Sequence, residues 1–168
     1  MGYLLVKPRS REIMANVWSS VKLNRLHIEA SIIGTAFVLV GIYHFIDQDF
    51  FEAIVPTWFR YATFANLVSG GAEIVLGLML IIPKFRRVGA WGLLILLVAV
   101  YPANIDMFIN DVDVQTNASG VVERVVDAEG VQLRNFIRLP FQFLFAWLVW
   151  RHTKKHPSAF QALRRQQL

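Results

Sequence analysis

The chain has no cysteine among its 168 residues. Disulfide bonds, thiolate catalysis and cysteine-ligated zinc or iron–sulfur clusters are therefore excluded within the chain. Any redox chemistry at this protein requires a bound cofactor or a partner that supplies the electrons.

Histidine is also scarce, and its four positions do not form a metal or haem pattern. Only His152 and His156 share the i, i+4 spacing of helical ligands, and no acidic residue accompanies them. His27 and His44 are predicted at opposite ends of one apolar segment, whereas a bis-histidine haem needs two histidines at matched depth. The sequence therefore predicts no metal site and no evident cofactor.

Acidic residues are outnumbered, 12 against 17 lysines and arginines, which gives a formal charge of +5. In a soluble protein this excess would favour nucleic acid as a partner. Here the basic residues lie at the ends of long apolar segments, where they act as orientation signals. We therefore exclude a nucleic-acid partner.

Four apolar segments predict the fold class, an all-α polytopic membrane protein with a four-transmembrane-helix bundle. Each has close to the ~20 apolar residues that a tilted helix needs to cross a bilayer. The predicted spans are 28–46, 64–82, 88–109 and 133–150, so the bilayer itself is the first partner. A polar stretch of more than twenty residues precedes the first span, and the span is too long for the apolar region of a signal peptide, so we expect it to be retained.

Lysine and arginine also predict the orientation. They are dense in 7–25, in 84–87 and after residue 150, and sparse in the two loops 47–63 and 110–132. By the positive-inside rule, both termini are cytoplasmic and these two loops are outside, in a cell inner membrane. Residues 1–27 read as a basic amphipathic helix on the inner surface, with a poorly ordered basic tail as the alternative, and 151–168 as a cytoplasmic basic tail.

The second outer loop, 110–132, predicts a small extracytoplasmic β-hairpin. Valine-rich residues 121–126 and Val131 flank the turn-forming residues 127–130, which we expect to form the hairpin turn. Within the spans, Gly34 and Gly41, and likewise Gly70 and Gly77, are seven residues apart. Each pair therefore lies on one helix face and permits close helix packing.

Polar side chains within or beside the spans are the candidate ligand-binding or buried polar cluster. Glu73 is about 15 Å into its span, and Arg134, Arg138 and Gln142 share one helix face by their i, i+4, i+8 spacing. By depth, the cluster converges on one pocket in the outer half. Its members are His44, Glu73, Tyr101, Asn104, Asp106, Arg134, Arg138 and Gln142. The alternative for each is a structural role, such as an ion pair of Glu73 or Asp106 with Arg138 that locks helix register.

Several short motifs in these positions together resemble the DoxX-like family of small four-helix membrane proteins. The resemblance covers about 28–150, and the 110–132 loop is longer than that family leads us to expect. The motifs are Gly41-Ile42-Tyr43-His44-Phe45, Ile54-Val55-Pro56, Ser69-Gly70-Gly71-Ala72-Glu73, Tyr101-Pro102-Ala103-Asn104-Ile105-Asp106-Met107, Leu133-Arg134 and Arg138-Leu139-Pro140-Phe141-Gln142.

The resemblance implies an inner-membrane protein that supports a membrane-associated redox or stress-response assembly. The leading hypothesis is an accessory subunit that packs against another membrane protein, is not catalytic by itself, and holds a quinone or lipid in its polar pocket. A quinone-linked oxidoreductase subunit and a small transporter or channel are the alternatives, and a homo-oligomer is an alternative assembly.

Overall fold

The computed structural model of the chain describes residues 9–154. Within 9–24 it describes the backbone and the side chains of Met14, Trp18 and Val21. The predictions for residues 1–8, and for the basic tail from residue 155 onward, lie outside the described residues.

The described chain is mostly helical, with one small sheet. The helices are α1 (Arg9–Ile46), α2 (Gln48–Ala53), α3 (Ala62–Ile81), α4 (Arg86–Ile109) and α5 (Gln132–Trp150). The strands are β1 (Asp113–Thr116) and β2 (Val122–Val125). We call the end of the bundle that carries α2 and the strands the hairpin end, and the opposite end the Arg86 end.

Within residues 9–154, three helical segments are long and apolar enough to cross a membrane: Arg25–Ile46, Ala62–Ile81 and Arg86–Ile109. In the last of these, only 11% of the most apolar window is buried inside the protein, so most of its apolar side chains face outward. A helix whose apolar side chains mostly face outward is typical of a lipid-facing position. These findings confirm the membrane character of the first three segments, and a fourth span in α5 stays a prediction.

Helix α1 runs without interruption for 38 residues, or about 57 Å at 1.5 Å per residue. Residues 9–27, part of the segment predicted as an amphipathic helix, are therefore helical. This helix continues directly into the first candidate span. The sequence from Arg9 to Ile33 contains neither glycine nor proline, so nothing in it interrupts the backbone hydrogen bonds.

Helices α1 and α3 pack antiparallel through the predicted glycine pairs. A Cβ atom built on Gly34 would lie 2.6 Å from the Gly77 carbonyl oxygen, and one on Gly41 would lie 2.6 Å from that of Gly70. Only glycine permits backbones to approach this closely. Helix α3 then packs against α4, and α4 against α5.

The most buried apolar core lies toward the Arg86 end. It comprises Ala30, Ile33, Phe37, Leu80, Ala90, Leu93 and Val149. At the same end, Arg86 donates to the carbonyl oxygens of Leu80 and Ile81, each over 2.9 Å. Since carbonyls in the last turn of a helix lack intrahelical donors, Arg86 closes the end of α3.

The structure has the predicted hairpin but places its turn elsewhere. Strands β1 and β2 pair antiparallel, with Asp113 opposite Val125 and Thr116 opposite Val122. The turn lies in 117–121, so its prediction at 127–130 is wrong. Asn117 Oδ1 accepts from the backbone N–H groups of Ser119 and Val121, which stabilises the turn locally. Residues 127–130 instead lead into α5, with positive φ at Asp127 and Gly130.

Candidate functional site at the hairpin end

His44 and Asn66 form a buried hydrogen-bonded pair between α1 and α3. His44 Nδ1 lies 2.7 Å from Asn66 Oδ1, and Asn66 Nδ2 donates to the His44 carbonyl oxygen over 3.1 Å. The two contacts fix both side chains and tie the last turns of α1 to the first turns of α3.

Glu73 lies beside this pair and is the only charged residue of α3. Its Oε2 atom is 3.7 Å from His44 Nε2, and the side chains are 12% and 11% exposed, respectively. Within the described part of the chain, this oxygen is buried and has no hydrogen-bond partner. A buried carboxylate oxygen without a donor is unfavourable unless it binds a proton or a ligand.

Helix α2 and Gly70 hold the imidazole of His44 in place. Asp47 caps α2 by accepting from the Phe50 N–H, and the helix places Phe51 over the imidazole with ring centroids 3.7 Å apart. On the other side, a Cβ atom on Gly70 would lie 2.5 Å from His44 Cβ. Gly70 therefore lets His44 lie directly against the backbone of α3. We call His44, Asn66 and Glu73 the His44 cluster.

A second polar group lies between α4 and α5. Asn104 donates to Gln142 Oε1, and Gln142 donates to the Leu97 carbonyl oxygen in the turn that precedes Pro102. Tyr101 contacts Phe143 edge to face, with ring centroids 5.4 Å apart. Asn104 and Gln142 thus satisfy each other inside a largely apolar interface.

Arg138 lies one turn above Gln142 on α5. Its Nη1 atom lies 3.0 Å from Met107 Sδ. Within residues 9–154, this thioether is its only hydrogen-bond acceptor, and no carboxylate lies within 4 Å of the guanidinium. A thioether is a weak acceptor, so a half-buried cation has most of its five donors available. Two aromatic pairs also bridge α4 and α5, Phe108 with Phe136 and Tyr101 with Phe143, and helix geometry places Phe136 and Phe143 about 140–160° around α5 from Arg138.

Asp106 and Arg124 form an ion pair that joins α4 to the hairpin. The Arg124 guanidinium donates to Asp106 Oδ2 and also to the carbonyl oxygens of Ala53 and Val55. These carbonyls lie at the end of α2, so one side chain from β2 links three elements.

Arg134 and Asp113 form the most exposed ion pair of this end. Arg134 Nη2 lies 2.7 Å from Asp113 Oδ1, and the side chains are 48% and 20% exposed. The hydrogen bond from Arg134 lowers the pKa of Asp113 below its ordinary value.

The contacts thus divide the eight predicted site residues among separate groups. His44 and Glu73 lie between α1 and α3, Asn104 and Gln142 between α4 and α5, and Asp106 under the hairpin. The pairing of Glu73 or Asp106 with Arg138, which helical spacing allowed, is wrong in this structure. Glu73 faces His44 and Asp106 binds Arg124, a loop residue that helical spacing cannot place. A shared pocket lined by four helices stays a prediction.

Two functional candidates were missed by sequence reasoning, Asn66 and Asn135. Asn66 is 1% exposed and Asn135 is fully buried, so both are interior residues. The available signal was an uncharged amide within or beside an apolar segment, which is a weaker signal than a charge.

The chain belongs to the family described as Domain of unknown function (DUF8561). The family model matches residues 33–153, which include both glycine pairs, the hairpin and all eight predicted site residues. No curated protein and no solved structure matches the chain.

Proposed function

We propose that this DUF8561 protein is a four-helix inner-membrane protein that holds a quinone at Arg138 and serves as an accessory subunit of a membrane-associated redox assembly. Both termini are cytoplasmic in this proposal, and α5 is the fourth span. The motif likeness to DoxX-like proteins supports the assembly, and the basic residues near both termini support the orientation.

The single observation that carries the ligand proposal is the state of Arg138. A cation within a membrane helix is costly and pairs with an anion or lines a functional path. Arg138 has Met107 Sδ as its hydrogen-bond acceptor, while its neighbour Arg134 is paired with Asp113. A quinone carbonyl oxygen is a neutral acceptor that arrives from the lipid phase and binds donors of the guanidinium that Met107 leaves available.

The exposed aromatic residues of α5 favour a ligand from the lipid phase over a soluble anion. Phe136 and Phe143, on either side of Arg138 along α5, are 53% and 63% exposed. Together with Phe108 and Tyr101 they form an exposed aromatic surface on the other flank of the α4–α5 seam, which faces a lipophilic environment. Asn104 and Gln142 complete the polar strip next to Arg138.

Quinone binding to the full chain in lipid nanodiscs tests this proposal, with Arg138→Gln as the variant. The probes are a short-tail benzoquinone and a short-tail naphthoquinone. Their binding is measured by the quenching of tryptophan fluorescence. Loss of a hydrogen bond from a charged donor costs about 1.5–3 kcal/mol, so we expect affinity to fall about 10- to 100-fold.

Arg134→Gln is the matched control, because it removes the same charge one turn away on the same face. We expect this variant to change affinity less than about threefold, since exposed ion pairs contribute little. Equal weakening by both variants, or no quinone binding to the unmodified chain, would refute the proposal. If Arg138→Gln does not fold, Arg138→Lys keeps the charge and removes the guanidinium fork.

The accessory role has its own test. Gentle extraction of the tagged chain from its own membrane, with mass spectrometry, identifies bound polypeptides and lipophilic molecules. A redox protein recovered in stoichiometric amount supports an accessory subunit, whereas recovery of the chain alone contradicts it.

A further inference from the structure

The contacts of Asn66 determine which nitrogen of His44 carries a hydrogen. Asn66 Nδ2 donates to the His44 carbonyl, so the amide atom beside His44 Nδ1 is the oxygen. An amide oxygen only accepts, and Nδ1 is therefore the protonated nitrogen of the neutral ring. The second nitrogen, Nε2, then presents a lone pair.

That lone pair faces the carboxylate of Glu73. Nε2 and Oε2 are 3.7 Å apart, and Oε2 has no hydrogen-bond donor among residues 9–154. Two acceptors that face each other away from water repel unless a hydrogen lies between them. One proton removes this repulsion, either on Nε2, as an imidazolium–carboxylate pair, or on Oε2, as a carboxylic acid beside neutral imidazole.

We propose that His44 and Glu73 together form a binding site for one exchangeable proton, with Asn66 as its positioning residue. With the proton bound, the pair has no net charge. When the proton leaves, His44 is neutral and Glu73 is an anion without a donor. The inference goes beyond the ligand site at Arg138, because neither residue contacts that side chain.

The neighbouring charged groups have other partners. On α2, Asp47 caps its own helix, Glu52 accepts from Thr63, and Asp49 is exposed. On α4, Asp106 binds Arg124. Within the described residues no third histidine or carboxylate joins the pair to complete a metal site. Since no other charged group or metal site contacts His44 and Glu73 in the described residues, a proton is the positive charge that the two side chains share.

The tautomer can be measured on the unmodified chain. Nitrogen NMR of ¹⁵N-histidine-labelled protein in nanodiscs, without added ligand, distinguishes Nδ1–H from Nε2–H, and His44→Gln assigns the signal. We expect the Nδ1–H form for neutral His44, and a change toward Nε2–H in Asn66→Ala. Observation of the neutral Nε2–H tautomer, with Nδ1 unprotonated, in the unmodified chain would overturn the proposal regardless of how any variant folds.

Sharing of the proton is tested by titration. We expect the His44 signal and the infrared band of the Glu73 carboxyl group to change over the same pH range. In Glu73→Gln the imidazolium loses its partner, so the His44 transition moves to lower pH by about one unit or more. Glu52→Gln, on the adjacent helix, is the control and leaves it in place.

An unchanged His44 transition in Glu73→Gln would show that the two groups titrate independently and would overturn the proposal. Since no quinone is present, a failure of quinone binding does not affect this result.

Discussion

Asn135 illustrates what one side chain does at the hairpin end. It is fully buried and donates to the carbonyl oxygens of Met107 and Val112, each over 2.9 Å. The first carbonyl is in the last turn of α4, where helical donors run out. One amide therefore joins the end of α4 to the start of α5. The sequence did not predict this, because an asparagine next to Arg134 looks like part of an exposed polar face.

The pair of Asp113 and Arg134 predicts a pH dependence of stability. Its hydrogen bond lowers the pKa of Asp113 in the folded protein below the unfolded value. The contribution is therefore fully present above the unfolded pKa, about 4, and is lost as pH falls through the folded pKa. We expect Arg134→Gln to lower the free energy of unfolding at pH 7 by less than about 1 kcal/mol, because the pair is partly exposed.

Chemical denaturation in detergent between pH 2 and pH 7 measures this difference. We expect the difference between the unmodified chain and Arg134→Gln to disappear at the acidic end. Asp113→Asn is the complementary control and should lower the free energy of unfolding at pH 7 by the same amount. Combining it with Arg134→Gln should cause no further decrease. A difference that persists undiminished at pH 2 would mean that Arg134 stabilises the protein by another contact.

At the scale of elements, the packing of α1 on α3 was predictable and the hairpin turn was not. Glycines seven residues apart fall on one helix face by geometry alone, and Gly34 and Gly41 do contact Gly77 and Gly70. The turn depends on the side chain of Asn117 and on the positive φ of Gly120, which is 80°. The valine pattern fits a turn at 117–121 as well as one at 127–130, so these local hydrogen bonds decide between the two positions.

Gly41→Ala and Gly71→Ala distinguish close packing from helix propensity. The Cβ atom at position 41 would meet the Gly70 carbonyl at 2.6 Å and Ile74 Cγ1 at 2.8 Å, whereas one at position 71 meets nothing within 4 Å. We expect Gly41→Ala to destabilise the protein by about 1–3 kcal/mol, since a backbone atom must move.

Gly71→Ala is the control in α3, the helix against which Gly41 packs, and alanine is the better helix former by about 1 kcal/mol. We expect it to leave the thermal unfolding midpoint in detergent unchanged or raised. Equal midpoints for both variants would show that α1 and α3 are held together by other contacts.

For the whole molecule, hydropathy predicted the helical class and four spans, three of which are long and apolar enough to cross a membrane in the described structure, but side-chain partners required the tertiary structure. The first span was expected from residue 28, and the apolar helical segment begins at Arg25. Asp106 was expected to face α5 but binds Arg124, which approaches from the hairpin. The depth of a residue along a helix can be counted from the sequence. The rotation of a helix about its own axis and the path of a loop cannot be obtained in this way.

The absence of cysteine makes the proposed orientation directly testable. Ser119, in the hairpin turn, and Lys84, between α3 and α4, are both exposed. We expect a membrane-impermeant maleimide to label Ser119→Cys in intact cells, and to label Lys84→Cys only after the membrane is opened. The reverse pattern would invert the orientation, and labelling of both in intact cells would contradict a span between them.

The uninterrupted α1 also makes the two ends of the molecule mechanically continuous. His44 lies 35 residues after Arg9 on one helix, a separation of about 50 Å. A tilt of about 5° near His44 would displace the far end of a helix of this length by about 4 Å, by the same helix geometry. Small tilts of α1 at the hairpin end are thus magnified at its Arg9 end by the length of the helix.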